Sequence, residues 1–113
     1  MLNDSLELDR TFAALADPIR RGMLVRLSEG PASVSELAAP LPISLPAVLQ
    51  HLKALEASGL VASEKRGRVR TVRVRPETLG AAEIWLTRRR REWEAHIDRF
   101  EDYLLSLKQD GGS

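Results

Sequence analysis

Apolar residues in this chain recur with helical spacing in five stretches, and with strand-like alternation in one short region between the fourth and the fifth. Leu8, Phe12 and Leu15 lie three and four residues apart, which predicts a first helix over about residues 5–16. Asp17-Pro18 reads as an N-cap followed by proline at the first helical position. The second helix then carries Ile19, Met23, Leu24 and Leu27 on one side, and Gly30-Pro31 ends it. Ser33 and Glu36 form a capping box for a short third helix with Val34, Leu37, Ala38 and Leu41 on its apolar face. The prolines of Pro40-Leu41-Pro42-Ile43 make a stiff turn.

Ser44 caps a fourth helix, where Leu45, Val48, Leu49, Leu52 and Leu55 form one apolar stripe leaning toward a core. The opposite face presents Pro46, Ala47, Gln50 and Ala54, flanked by His51 and Lys53. Gly59 suits the C-terminal cap. Two strands follow, over about residues 60–66 and 69–75, with Gly67 in the tight turn between them. In the second strand Val72 and Val74 share one face, Val69 and Thr71 the other. A last helix is expected over about residues 77–107. In it Leu86, Trp93, Phe100 and Leu107 recur every seven residues, with Ile97 and Leu104 between them. That is a heptad seam, and the simplest cover for it is the same helix of a second copy. The expected fold is mainly α with a small β-hairpin (α+β), in the order ααααββα. One domain over residues 1–108 and a flexible tail over 109–113 complete this reading.

Composition narrows the function. A length of 113 residues fits one domain, and 43% hydrophobic residues suffice for a modest core. No apolar run is long enough to span a bilayer, so no membrane partner is expected, and the N-terminus lacks the pattern of a signal peptide. The absence of cysteine rules out disulfides and thiolate metal sites and suits a cytoplasmic location. There is no glycine-rich phosphate loop, histidine cluster or defensible nucleophile–base pair, so no enzymatic activity and no cofactor are expected.

The net charge of +1 is uninformative, but its distribution is not. Lys65, Arg66, Arg68, Arg70, Arg73 and Arg75 fall within the hairpin with no acidic residue among them. Two short helices, a tight turn and a second helix with small outer residues describe a helix-turn-helix, and the basic hairpin after it describes a wing. A helix fits the major groove of B-DNA, and small residues such as Ala47 and Ala54 let its backbone approach. Gln50 can pair with adenine, while Ser44 and the first-turn amides can reach a phosphate. The expected DNA-binding residues are Ser44, Pro46, Ala47, Gln50, His51 and Lys53 on the helix, with Arg66, Arg68 and Arg70 on the wing. The expected dimer interface is Leu8, Phe12, Leu86, Trp93, Ile97, Phe100 and Leu104.

These motifs together resemble the ArsR/SmtB-type winged-helix repressors of bacteria. The stretches are Phe12-Ala-Ala-Leu-Ala-Asp-Pro-Ile-Arg-Arg21, Ser33-Val-Ser-Glu-Leu-Ala38, Ser44-Leu-Pro-Ala-Val-Leu-Gln-His-Leu-Lys-Ala-Leu-Glu-Ala-Ser-Gly-Leu-Val61 and Lys65-Arg-Gly-Arg-Val-Arg-Thr-Val-Arg-Val74. The resemblance covers about residues 9–107. It implies a homodimer built from the first and last helices, with the fourth helix in the major groove of double-stranded DNA, acting as a repressor on an inverted-repeat operator. Metal-sensing members carry a Cys-Val-Cys-Asp-Leu-Cys pattern where this chain has Ser33, Ser35 and Ala38. The second metal site of the family needs acidic and histidine ligands in the last helix, where this chain offers only Glu83 and His96, with Trp85 at the other histidine position. A non-metal-sensing branch is therefore expected. Leu45 and Leu49 replace residues that are usually polar in the recognition helix.

Plainer roles compete for several of these residues. His51 can be a side chain hydrogen-bonded at the helix edge, and His96 a surface or interface residue. Arg88–Arg91 reads as a solvated face. Arg20 and Arg21 stand in a helix's first turns, where the dipole disfavours cations, so nearby acids or a DNA phosphate are expected as partners. Two alternative functions remain: a winged-helix protein-interaction module without DNA binding, or a repressor controlled by a small organic effector near Trp85 and Trp93.

Overall fold

The computed structural model describes the backbone of residues 2–111 and the side chains of residues 6–109. The elements are α1 (Leu2–Leu15), α2 (Pro18–Leu27), β1 (Ala32–Ser33), α3 (Val34–Ala38), α4 (Leu45–Ala57), β2 (Val61–Arg66), β3 (Val69–Val74) and α5 (Glu77–Gly111). The chain divides into two compact units between Ala82 and Glu83.

In the first unit the caps fall where the sequence places them. Asp17 has an extended backbone, and its carboxylate accepts from the backbone N–H of Ile19 at 2.8 Å and of Arg20 at 3.2 Å. These bonds, the one from Arg20 first, hold the carboxyl below the usual range. Ser33 caps α3 by accepting from Glu36 N–H at 3.1 Å, the first half of a capping box; the Glu36 carboxylate accepts from the Ser33 hydroxyl in place of its backbone N–H. Ser44 caps α4 by accepting from Ala47 N–H at 3.3 Å.

Two expectations about the sheet and turn change. A two-residue strand, β1, joins the hairpin, so the sheet has three antiparallel strands in the order β1-β3-β2. Ala32 and Ser33 pair with Val72 and Thr71, a contact that no periodicity in two residues can announce. Leu41 lies beyond α3, in the turn, yet still packs against the core. The hairpin register runs from Val61 opposite Val74 to Arg66 opposite Val69, leaving Gly67 and Arg68 as the loop. Gly67 has φ +63°, a conformation that L side chains rarely adopt and that lets the strands turn back within two residues.

Leu27, Val48, Leu55, Leu60 and Val72 are the largest side chains that are fully buried. They draw together α2, α4 and the sheet, with Ala14 of α1 and Leu37 of α3 in the same cluster. The inner face of α4 is Val48, Leu52 and Leu55. Leu45 and Leu49 correct the sequence reading: they are 54% and 46% exposed, not core. At 100° per residue Leu49 stands about a quarter turn from the centre of the buried stripe, and Leu45 opens the helix where the core has run out. Gly59, at φ +80°, ends the α4 segment, and a Cβ there would meet Thr78 Oγ1 at 3.3 Å. Thr78 donates to the Gly59 carbonyl, tying the start of α5 to the α4–β2 junction.

The second unit is the α5 segment from Glu83 onward. Its surface is laced by ion pairs between Arg89 and Glu92 at 3.0 Å and between Arg90 and Glu94 at 3.7 Å. The Arg89 guanidinium also lies 5.4 Å from the Trp85 ring centre. The Arg88–Arg91 run, expected to be fully solvated, is exposed at Arg88, Arg90 and Arg91 but half-buried at Arg89. Helix continues to Gly111, through the start of the expected 109–113 tail; Gly112 and Ser113 lie outside the described residues.

Two outcomes follow for stability. Leu55→Ala removes a fully buried side chain and should cost about 2–5 kcal/mol in urea unfolding; a loss below 1 kcal/mol would contradict this core. Asp17→Ala should lower the thermal midpoint at neutral pH. Because the folded Asp17 pKa is depressed, its charge-dependent stabilisation is complete above the ordinary carboxylate value. It disappears as pH falls through the lower, folded one. Thermal melts should therefore show the gap between the native protein and Asp17→Ala narrowing only below about pH 4.

Candidate nucleic-acid interface

Burying Val48, Leu52 and Leu55 sets the rotation of α4 and turns Pro46, Gln50 and Lys53 out to solvent, with Ala47 and Ala54 half-buried beside them. The outer face is thus made of small residues, one amide and one cation, as the sequence suggests. The first turn is less open to a phosphate than expected. Pro46 has no N–H and Ala47 N–H is taken by the Ser44 hydroxyl oxygen, so Leu45 holds the one first-turn amide outside these bonds.

His51 is half-buried at the edge of this face. Arg20 Nε donates to His51 Nδ1 at 3.1 Å, a bond that needs Nδ1 unprotonated and so leaves the ring proton of a neutral imidazole on Nε2. That atom is not among the buried unpartnered ones. The same guanidinium donates to the Ala13 carbonyl at 3.3 Å, and Arg21 donates to the Leu15 carbonyl at 2.8 Å. Of the expected partners, the acid Asp17 acts on Arg20 through its charge; the hydrogen bonds of the two arginines go to a ring nitrogen and the last carbonyls of α1. A cation is favoured there by the negative end of the α1 dipole, which offsets its poor position at the start of α2.

The wing carries its cations in three settings. Arg66 pairs with Glu64 at 3.2 Å, but both side chains are largely exposed, so the pair is weak and open to exchange. Arg75 pairs with Glu77 at 3.0 Å. Arg70 donates to Ser63 Oγ at 2.9 Å, and Ser63 in turn donates to the Glu56 carboxylate, so α4 and the hairpin are stitched together. No local motif signals this relay, because its members lie seven residues apart in sequence and meet only through the hairpin register and the packing of α4 beside β2. Among the described residues, the Lys65 and Arg68 side chains make no hydrogen bond or ion pair, while the Lys65 backbone is paired with Arg70 across the hairpin.

Helix and wing also share an open groove. Leu45 and Leu49 of α4 line it together with Val69 of β3, the first turn of α3 and the cations Lys65, Arg68 and Arg70. Thus all three expected wing arginines sit on the same hairpin, and two of them stand directly across a groove from α4. Sequence reasoning missed Leu45 and Leu49 as surface residues. The signal available was their departure from the polar residues usual at those positions.

No group of three or more His, Cys, Asp or Glu side chains suited to a metal ion occurs among the described residues. None of the helices there is long and apolar enough to cross a membrane.

A family model described as a helix-turn-helix domain matches residues 15–64. The HTH-type transcriptional regulator Rv2034 of Mycobacterium tuberculosis is 45% identical over 80 residues, covering 71% of this chain and 75% of that protein. The crystal structure of an ArsR family transcriptional regulator, RHA00566, superposes with a TM-score of 0.77 at 47% identity, covering 80% of this chain and 93% of that one. The winged helix-turn-helix DNA-binding domain of Mb0332 from Mycobacterium bovis, described as homodimeric and as a possible ArsR-family regulator, has a TM-score of 0.60 at 25% identity. It covers 72% of this chain and 77% of that one. A recognition-type helix beside a basic hairpin, in a fold and sequence shared with these regulators, identifies the chain as a member of the ArsR family of winged helix-turn-helix, DNA-binding transcriptional regulators.

Proposed function

We propose that this chain is a homodimeric, sequence-specific repressor that binds an inverted-repeat operator in the cytoplasm and does not respond to metal ions. The observation that carries the reading is the outer face of α4, with Gln50 and Lys53 exposed, set beside a hairpin whose Lys65 and Arg68 are exposed as well. Gln50 is the base-reading side chain, through its amide. Lys53, Arg66, Arg68 and Arg70 hold phosphates, Ser44 and His51 supply further donors, and Pro46 and Ala47 permit close approach. No catalytic role or cofactor belongs to this reading.

Dimerisation is supported by the α5 seam. Leu86, Trp93, Ile97, Phe100 and Leu104 are between 47% and 62% exposed, an apolar line that gains from burial against a second copy. Leu8 and Phe12 of α1, both half-buried, belong to the same proposed interface. The homodimeric state described for Mb0332 agrees with it. Lack of metal response is supported by Ser33, Ser35 and Ala38, of which Ser33 is already engaged in capping α3.

A second reading, a protein-interaction module without DNA binding, draws on the exposure of Leu45 and Leu49. Gel-shift and anisotropy measurements separate the two. A repressor should prefer its own promoter region over random duplex, with affinity falling steeply as salt rises. Arg66→Ala with Arg68→Ala should weaken binding to all sequences and lower the salt slope by about 2, whereas Gln50→Ala should relax specificity at one position of each half-site. Equal affinity for promoter and random DNA would refute sequence-specific binding. Sedimentation at micromolar concentration should give a dimer, and Trp93→Ala with Phe100→Ala should give a monomer; a native monomer would refute the role assigned to the seam.

A further inference from the structure

We propose that Leu45 and Leu49 are specificity-determining residues that read the 5-methyl groups of thymines on the DNA strand lying between α4 and the wing. The inference rests on the DNA-binding reading above and adds a base identity to it.

The two side chains are 54% and 46% exposed on a helix whose other large apolar residues, Val48, Leu52 and Leu55, are buried. They lie on the flank of α4 that turns toward the hairpin, the flank that also carries Glu56 and its link to Ser63. Opposite them stand Lys65, Arg68 and Arg70, with Val69 at the same groove. The groove is therefore apolar on the α4 side and mainly cationic on the wing side; Glu36, the acid that also lines it at the start of α3, is paired with Arg26 at 3.4 Å.

That combination selects its occupant. Three cations around an apolar wall favour a polyanion, and an uncharged apolar peptide would have to desolvate them without compensation. A DNA strand satisfies both walls at once. Its phosphates meet Lys65, Arg68 and Arg70, and its base edges face α4. On the major-groove edges of the base pairs the apolar group is the thymine methyl. A leucine cannot read donors or acceptors, so the information it can take from that surface is the presence or absence of this methyl. Gln50, farther round the helix, reads hydrogen-bonding edges, and the two kinds of contact divide the half-site between them.

The test begins by selecting binding sites from a random duplex library with the full-length native protein. Each thymine of the selected site is then replaced by deoxyuridine, which deletes the methyl group and keeps the hydrogen bonds. Anisotropy titrations should show affinity falling about fourfold at one or two thymines per half-site, the worth of burying one methyl-sized group. Leu49→Ala and Leu45→Ala should bind the thymine site more weakly and lose the uracil penalty at one of these positions each, while still discriminating at the position read by Gln50. Both residues lie outside the core, so unchanged thermal melts will show that the variants fold. Indifference to uracil at every position, with DNA affinity unchanged in both variants, overturns the proposal and assigns the leucines to a protein partner. A uracil penalty that persists unaltered in both variants overturns it as well. Failure to enrich any duplex would instead remove the DNA-binding reading itself.

Discussion

Everything at the surface of the first unit depends on how α4 is seated. Val48, Leu52 and Leu55 bury one side of the helix against a cluster that includes Leu27, Leu60 and Val72. A helix held along three positions over two turns cannot rotate, so the opposite side chains are presented in one orientation. The close packing of the interior makes this a rigid constraint, since relieving it would open a void or expose leucine. Gln50 and Lys53 owe their outward position to residues on the other side of the helix.

The wing is fixed to the same core by a different means. Val61 and Val72 enter the cluster, and β1 adds a third strand that holds β3 from its other side. Near the hairpin's outer end the link is polar, from Arg70 through Ser63 to Glu56. Cations on a flexible ribbon would lose much of their binding energy to ordering. Here the strand carrying Arg70 is paired on both sides and tied to the helix through a side chain, which reduces that loss. Arg68 lies in the turn itself, outside the paired positions.

The Arg20–His51 bond links the second helix to the recognition helix at the edge of the interface. It gives the histidine, whose two ring nitrogens can exchange donor and acceptor roles by tautomerism, a donor and an acceptor side assigned by its neighbour. Arg20 is held for this purpose by the Ala13 carbonyl at the end of α1. Three helices therefore contribute to the orientation of one side chain, none of it readable from a motif.

Much of this protein was legible in its residues. The caps at Asp17, Ser33 and Ser44, the turn at Gly67 and the basic hairpin are local, and their geometry is set by the few residues that form them. The order of helices and hairpin followed from periodicity, and the outer face of α4 from the position of Gln50 and Lys53 across from Val48, Leu52 and Leu55. What required the tertiary structure was long-range or lay at an edge. β1 exists because Ala32 and Ser33 meet Val72 and Thr71 about forty residues later. Arg20 and Arg21 reach carbonyls of α1, and Arg20 also His51 of α4, only when these helices pack. Leu45 and Leu49 look like core by composition and become surface because the core ends before it reaches them. Periodicity shows which residues share a side of a helix; the extent of the neighbouring elements decides how much of that side is covered.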